Sequence, residues 1–168
     1  SIAFAAAPLK GFTHHFPILP PAGENIYLWK LRLAIDLGCQ DTPYRPPTPR
    51  GRGLLVHPGS GSITKNAPLD FFLEEARRDG EATFLLGPAE SPAMEAAIRQ
   101  AGFPAVRPES LAAMKNVVLE HARFLGNVSG PAHLAALNGL APRVIFRASD
   151  PTTWAAPGME AIHLPGRP

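Results

Sequence analysis

From residue 53 onward the chain alternates short apolar runs with helical segments, and few architectures accommodate that alternation. "GLLVH" (53–57), "ATFLLG" (82–87), "ARFLG" (122–126), "RVIF" (143–146) and "AIHL" (161–164) read as short strands. Between them "APLDFFLEEARRDG", "SPAMEAAIRQAG", "SLAAMKNVVLEH" and "GPAHLAALNG" read as helices with the expected punctuation. Ser91 is placed to cap, with Pro92 in the first turn. Asn66 is the expected cap of the preceding helix, with Pro68 in its first turn and Gly80 beyond its end. Strands and helices alternating at this length imply right-handed crossovers and a parallel sheet, hence the α/β class.

The front of the chain is different. Twenty prolines are many for 168 residues, and they cluster at Pro17, Pro20 and Pro21 and again at Pro43, Pro46, Pro47 and Pro49. Between the clusters "ENIYLWKLRLAIDLG" reads as a helix, with Tyr27, Leu28, Leu31, Ala34 and Ile35 on one stripe and Gly38 past its end. "DTPYRPPTPRGRG" has the composition of a linker, which places a domain boundary at residues 41–52. The opening "SIAFAAAPLKG" reads as a strand and turn; it lacks the length and charged region of a signal peptide.

Composition bounds the function. Hydrophobic residues at 45% and charged residues at 18% describe a globular chain. A formal charge of +2 gives no footprint for nucleic acid. Arg45, Arg50 and Arg52 form one local basic cluster, either a solvated linker or a surface for a phosphorylated or membrane-bound partner. Cys39 is the only cysteine, which excludes an internal disulfide and points to a reducing compartment. No apolar run approaches the ~20 residues of a membrane-spanning helix. The expectation is a soluble, cytoplasmic protein. The six histidines show no metal-ligand spacing, and no metal site is expected.

In a parallel sheet ligands collect at the carboxyl ends of the strands, so the loops there are the shortlist: 58–66, 87–91, 126–131 and 147–158. In "HPGSGSITK", Gly59 and Gly61 would let backbone approach a ligand, Ser60 and Ser62 add hydroxyls, and Lys65 adds a positive charge. That set suits a diphosphate, although the spacing is not that of a P-loop and a merely flexible loop fits as well. Glu90, after "LLGPA", is either a ribose acceptor or a helix-start glutamate. In "FLGNVSGPAHLAAL", Ser129 and Gly130 open a helix whose free amides favour an anion. His133 falls in the first turn, as an anion contact or as a packing residue. The spacing Gly126-x-x-Ser129-Gly130 does not make a nucleophile elbow. Asn127-Val128-Ser129 matches a glycosylation sequon by accident.

Four stretches in order, "VHPGSGSITKNAP", "FLLGPAE", "SLAAMKNVVLEHARFLGNVSGPAHLAAL" and "VIFRASDPTTWAAPG", resemble the carboxyl-terminal half of heptosyltransferase-type glycosyltransferases (family nine). The resemblance covers residues 53 to 164 and extends weakly into "FTHHFPILPPAGENIYLWKLRLAIDLG". It implies the second, Rossmann-like half of a GT-B fold, with residues 1–40 as the tail of an acceptor domain, 41–52 as linker and 53–168 as the nucleotide-sugar domain. It also implies site roles. Ser60 and Gly61 would touch the donor phosphates and Lys65 would bind them. Glu90 would hold the ribose, and Glu109 would lie beside the base. Ser129, Gly130 and His133 would line the diphosphate and sugar. The implied reaction transfers heptose from an ADP-sugar to a lipopolysaccharide-type acceptor at the inner face of a membrane, without a cofactor.

The departures are specific. Val128 stands where the family has Asp, Ala67 where a Trp often precedes the proline, and Arg147 where a glycine follows the strand. Most of the first domain, with its catalytic aspartate, has no counterpart here, so no catalytic residue is assigned. An alternative therefore stands beside the transferase: a degenerate, non-catalytic binding or assembly domain whose uncovered apolar face could support a homodimer.

Overall fold

The structure, a computed structural model, describes residues 2–4, 14–16, 20–40, 47–49 and 51–164. Most of the Pro-rich segment, with Arg45 and Arg50, lies outside them, as do Pro17 and the turn expected after the opening strand. The chain divides into two compact units: Ser1–Thr42 with Thr152–Trp154, and Pro43–Pro151 with Ala155–Pro168.

In the first unit, β1 (Ile2–Phe4) pairs in parallel with β2 (His14–Phe16). Helix α1 (Ile26–Asp36) is capped by Asn25, whose Oδ1 accepts the Tyr27 N–H at 3.0 Å. Beyond its end Gly38 takes the left-handed conformation, φ +87°. The buried face is not the expected stripe. Ile26 and Trp29 are buried, whereas Leu28, Leu31 and Ile35 are exposed. Burying one indole outweighs the count of aliphatic residues on the neighbouring stripe.

The second unit is a six-stranded, all-parallel sheet: β3 (Leu54–His57), β4 (Ala82–Leu85), β5 (Ala105–Val106), β6 (Arg123–Asn127), β7 (Arg143–Phe146) and β8 (Glu160–His163). Their order is β5-β4-β3-β6-β7-β8. The chain starts in the middle, winds outward to β5, returns to lay β6 beside β3, and winds outward the other way. The β3/β6 seam is therefore the point where consecutive loops diverge and leave a crevice.

Helices α2 (Leu69–Asp79), α3 (Pro92–Gln100), α4 (Leu111–Leu119) and α5 (Gly130–Leu137) connect these strands. Ser91 and Ser110 accept the N–H groups of Met94 and Ala113 at 3.2 and 3.1 Å. Each such cap stabilises its helix by about 1 kcal/mol. Asn66 does not cap α2. Pro68 holds that position without a side-chain cap, because Asn66 lies too far upstream and its amide is engaged in the preceding loop.

The central strands are buried along their length, as a sheet covered on both faces requires. Phe72, Phe84, Leu86, Ile98, Leu125 and Ile145 anchor one side of the core. β6 can approach β3 because residue 126 is glycine. A Cβ there would lie 2.8 Å from the His57 carbonyl oxygen and 2.9 Å from the Phe124 ring.

Candidate functional site

Three loops leave the carboxyl edge side by side, after β4, β3 and β6, because those strands are neighbours. The β3 loop is built around its own side chains. Ile63–Lys65 forms a single 3-10 turn. The Ser60 hydroxyl lies 2.6 Å from Asn66 Oδ1 and 2.9 Å from the Ser62 carbonyl oxygen. Ser60 thus shapes the loop with its hydroxyl, a role not anticipated from the sequence. Lys65 ends the 3-10 turn half-buried, with no carboxylate in ion-pairing distance among the described residues.

The β4 loop holds a buried carboxylate. Glu90 is 7% exposed, and one of its oxygens accepts the Gly87 N–H. The other lies against the backbone of Gly59, where any β-carbon would overlap it. One reason that residue 59 is glycine is therefore the close approach of Glu90. Arg107 anchors the same loop from the far side. It donates to the carbonyl oxygens of Gly87 and Glu90, the latter at 2.9 Å, and to Glu95 Oε2 at 2.6 Å. Arg107 and Arg99 together hold the Glu95 carboxyl below the usual carboxylate range.

His57, the last residue of β3, is buried beside these groups, with Nδ1 2.9 Å from the Leu85 carbonyl oxygen. Burial pushes its pKa down, opposed by that hydrogen bond and by the charge of Glu90.

The β3 and β4 loops enclose a cleft of about 250 Å³. Ser60, Gly61, Ser62, Ile63 and Asn66 line one wall, and Ala89, Glu90, Ser91 and Met94 the other. Of the residues expected from sequence, the fold brings Ser60, Gly61 and Glu90 into one wall-to-wall cleft. A β-carbon at Gly61 would meet open space, so the room there faces the cleft mouth.

On the other side of β3, the β6 turn presents Ser129, Gly130 and His133. Ser129 precedes α5 without capping it, and its Oγ is buried with no hydrogen-bond partner. Pro131 has no N–H, and the amides of Gly130 and Ala132 lie in a first turn that has no acceptors for them. His133 is half-buried, its N–H bonded to the Ser129 carbonyl oxygen at 3.2 Å. Glu109 is exposed in the loop after the edge strand β5 and does not line the cleft between the β3 and β4 loops.

Sequence reasoning missed Asn127. It is fully buried at the end of β6 and ties the seam together. Its Nδ2 donates to the Pro58 carbonyl oxygen at 2.6 Å, and its Oδ1 accepts the Ala67 N–H at 3.0 Å. One amide thus fixes both ends of the β3 loop. The available signal was a polar residue ending an apolar strand. Val128 continues the ladder, its N–H on the Ile145 carbonyl oxygen at 3.2 Å. Among the described residues no three of His, Cys, Asp and Glu gather as a metal would require. No helix among them is long and apolar enough to cross a membrane.

A second cleft of about 250 Å³ opens at the amino edge of the sheet. Its arginines are already matched: Arg78 and Arg143 pair with Glu75, and Arg123 with Asp79. Among the described residues, the carboxyl edge combines a cleft, a lysine without an ion pair and an orphaned hydroxyl.

The sequence matches no protein-family model and no curated protein. The fold, by contrast, is shared with solved glycosyltransferases. The family 9 glycosyl transferase of Veillonella parvula DSM 2008 aligns at a TM-score of 0.64 and 16% identity, over 92% of this chain and 52% of that one. E. coli heptosyltransferase WaaC, solved with ADP, aligns at 0.71 and 14% identity, over 92% of this chain and 54% of that one. E. coli ADP-heptose lps heptosyltransferase II aligns at 0.52 and 17% identity, over 81% and 43%. The chain therefore spans about half the length of the structures it matches. The six-stranded parallel sheet with flanking helices is the arrangement of this GT-B-type group.

Proposed function

We propose that this chain forms the donor-binding portion of a glycosyltransferase, taking heptose from an ADP-sugar for transfer to a lipopolysaccharide-type acceptor. The observation that carries the reading is the gathering of three groups at the carboxyl edge of the sheet, on the loops after β4, β3 and β6. A buried carboxylate, a loop ending in an unpaired lysine, and a helix start with an unpartnered serine hydroxyl lie on three adjacent loops. A nucleoside diphosphate presents the matching groups in sequence: ribose hydroxyls to Glu90, and phosphates to Lys65, Gly61 and the Ser129–Gly130 amides. Two of the E. coli WaaC structures that share the fold contain ADP and ADP-2-deoxy-2-fluoro heptose, which supports that class of donor.

In the transfer, the bond between the anomeric carbon and the diphosphate breaks as an acceptor hydroxyl attacks and loses its proton. Negative charge builds on the departing diphosphate. Donors fixed in advance at that position lower the barrier most, because they need no reorganisation as the bond breaks. Lys65 and the α5 amides take that part. The base for the acceptor hydroxyl belongs to the acceptor side and is assigned to no residue of this chain.

Calorimetric titration of ADP, with UDP and GDP alongside, tests the reading. ADP should bind in the micromolar to low-millimolar range, and Lys65→Ala should weaken it by ~1.5–3 kcal/mol, the worth of a charge-assisted hydrogen bond. Undiminished affinity in that variant would refute the role of Lys65. Absence of binding by any nucleotide would favour a domain that kept the fold and lost the chemistry.

A further inference from the structure

Arg147 leaves the end of β7, yet its Nη1 donates to the Asn66 carbonyl oxygen in the β3 loop, at 2.6 Å. In the sheet, β6 lies between β7 and β3. A tether from one loop to the other therefore passes across the end of β6, where Val128, Ser129 and Gly130 turn into α5. Several arginines of this unit are neutralised: Arg99 and Arg107 both pair with Glu95, Arg123 with Asp79, and Arg78 and Arg143 with Glu75, whereas Arg52 and Arg77 are exposed to solvent. Arg147 is half-buried, and no carboxylate lies in ion-pairing distance of it among the described residues.

Asp150, three residues on in the same loop, forms no ion pair with Arg147, and residue 128, in the turn that the tether crosses, is valine. A guanidinium has five N–H donors, and the bond to Asn66 uses one. A half-buried cation with spare donors and no counter-ion, held at the β3 loop beside Lys65, suits a multivalent anion.

We propose that Arg147 is a second cationic contact for the donor's diphosphate, reaching across the end of β6 to place its charge beside Lys65 at the β3 loop. The inference rests on the donor-site reading above and adds a specificity: this chain discriminates a diphosphate from a monophosphate through the β7 loop. Lys65 approaches from the β3 loop as a point charge. Arg147 presents a planar fork, so it can engage two phosphate oxygens at once.

The test is titration of ADP, AMP and inorganic pyrophosphate into the wild-type chain and into Arg147→Gln and Arg147→Lys. Gln removes the charge but ends two atoms short of the Asn66 carbonyl, so the comparison of ADP with AMP is what separates the cationic contact from the loop tether. Urea midpoints of the variants establish that both are folded. Arg147→Gln should weaken ADP and pyrophosphate by about tenfold or more, the scale of one charge-assisted contact, and AMP several-fold less. Arg147→Lys should recover part of the loss, and the salt dependence of ADP binding should become shallower in Arg147→Gln. Equal affinity of ADP for wild type and Arg147→Gln overturns the inference while leaving the donor site standing. Equal losses for ADP and AMP also overturn it, because Arg147 would then only shape the loop. A wild-type chain that binds neither ADP nor pyrophosphate overturns both the donor-site reading and this inference.

Discussion

Gly59 and Glu90 should be energetically coupled, and the coupling can be worked out from their contact. A methyl group at residue 59 would overlap Oε1 and Cδ of Glu90 and stand 3.1 Å from its Cγ. The carboxylate is the free end of a flexible side chain, so Gly59→Ala should fold by pushing it aside. What is lost is its bond from the Gly87 N–H. A hydrogen bond to a charged group is worth ~1.5–3 kcal/mol, and solvation of the displaced carboxylate returns part of that, so the net cost should be about 1–2 kcal/mol. In a Glu90→Ala background there is no carboxylate to displace. There the added methyl should be neutral, or stabilising by ~0.4–1 kcal/mol, because it restricts the unfolded chain. A double-mutant cycle by urea denaturation measures the difference directly. A Gly59→Ala cost that is the same in both backgrounds would refute the claim that the approach of Glu90 is a reason for this glycine.

Asn127→Ala should cost about 2–4 kcal/mol in urea stability, since it strands both the Ala67 N–H and the Pro58 carbonyl, each worth roughly 1–3 when buried unpaired; a loss under 1 kcal/mol, on the order of one exposed hydrogen bond, would mean that the seam is held elsewhere. His57 has a folded pKa below its ordinary 6.5, so the unfolded chain takes up the proton first as pH falls. The stability it contributes is complete above that value and lost as pH drops through it, so urea midpoints should fall between about pH 7.5 and about pH 5.5, and fall less in His57→Gln. Arg107→Ala should return the Glu95 titration midpoint toward the usual carboxylate range in a carbon-detected NMR titration, and should speed amide exchange at Gly87–Glu90. An unmoved Glu95 midpoint would show that Arg99 alone sets it.

The α/β class and most strand and helix positions could be read from the sequence because the parallel sheet writes its burial as apolar runs. β5 could not: two residues, Ala105 and Val106, carry no period to detect. The loops of the site were legible as Gly- and Ser-rich segments following strands, and Glu90 as an acid in such a loop. Their internal wiring was not. Asn127 clamping Pro58 and Ala67, and Arg147 reaching across β6, join residues far apart in the chain. No local pattern encodes those pairings; the strand order creates them. The stripe on α1 failed for a related reason, since periodicity marks an apolar face but not which of two adjacent faces meets a partner.

The most direct measurement is an amide nitrogen–proton spectrum of the labelled chain during titration with ADP. If the carboxyl edge is a nucleoside-diphosphate site, shift changes should gather at Gly61–Asn66, Gly87–Ser91 and Val128–Ala132, with the amino-edge cleft around Arg78, Arg123 and Arg143 silent. Changes confined to that amino-edge cleft, or no saturable changes at millimolar ADP, would contradict it.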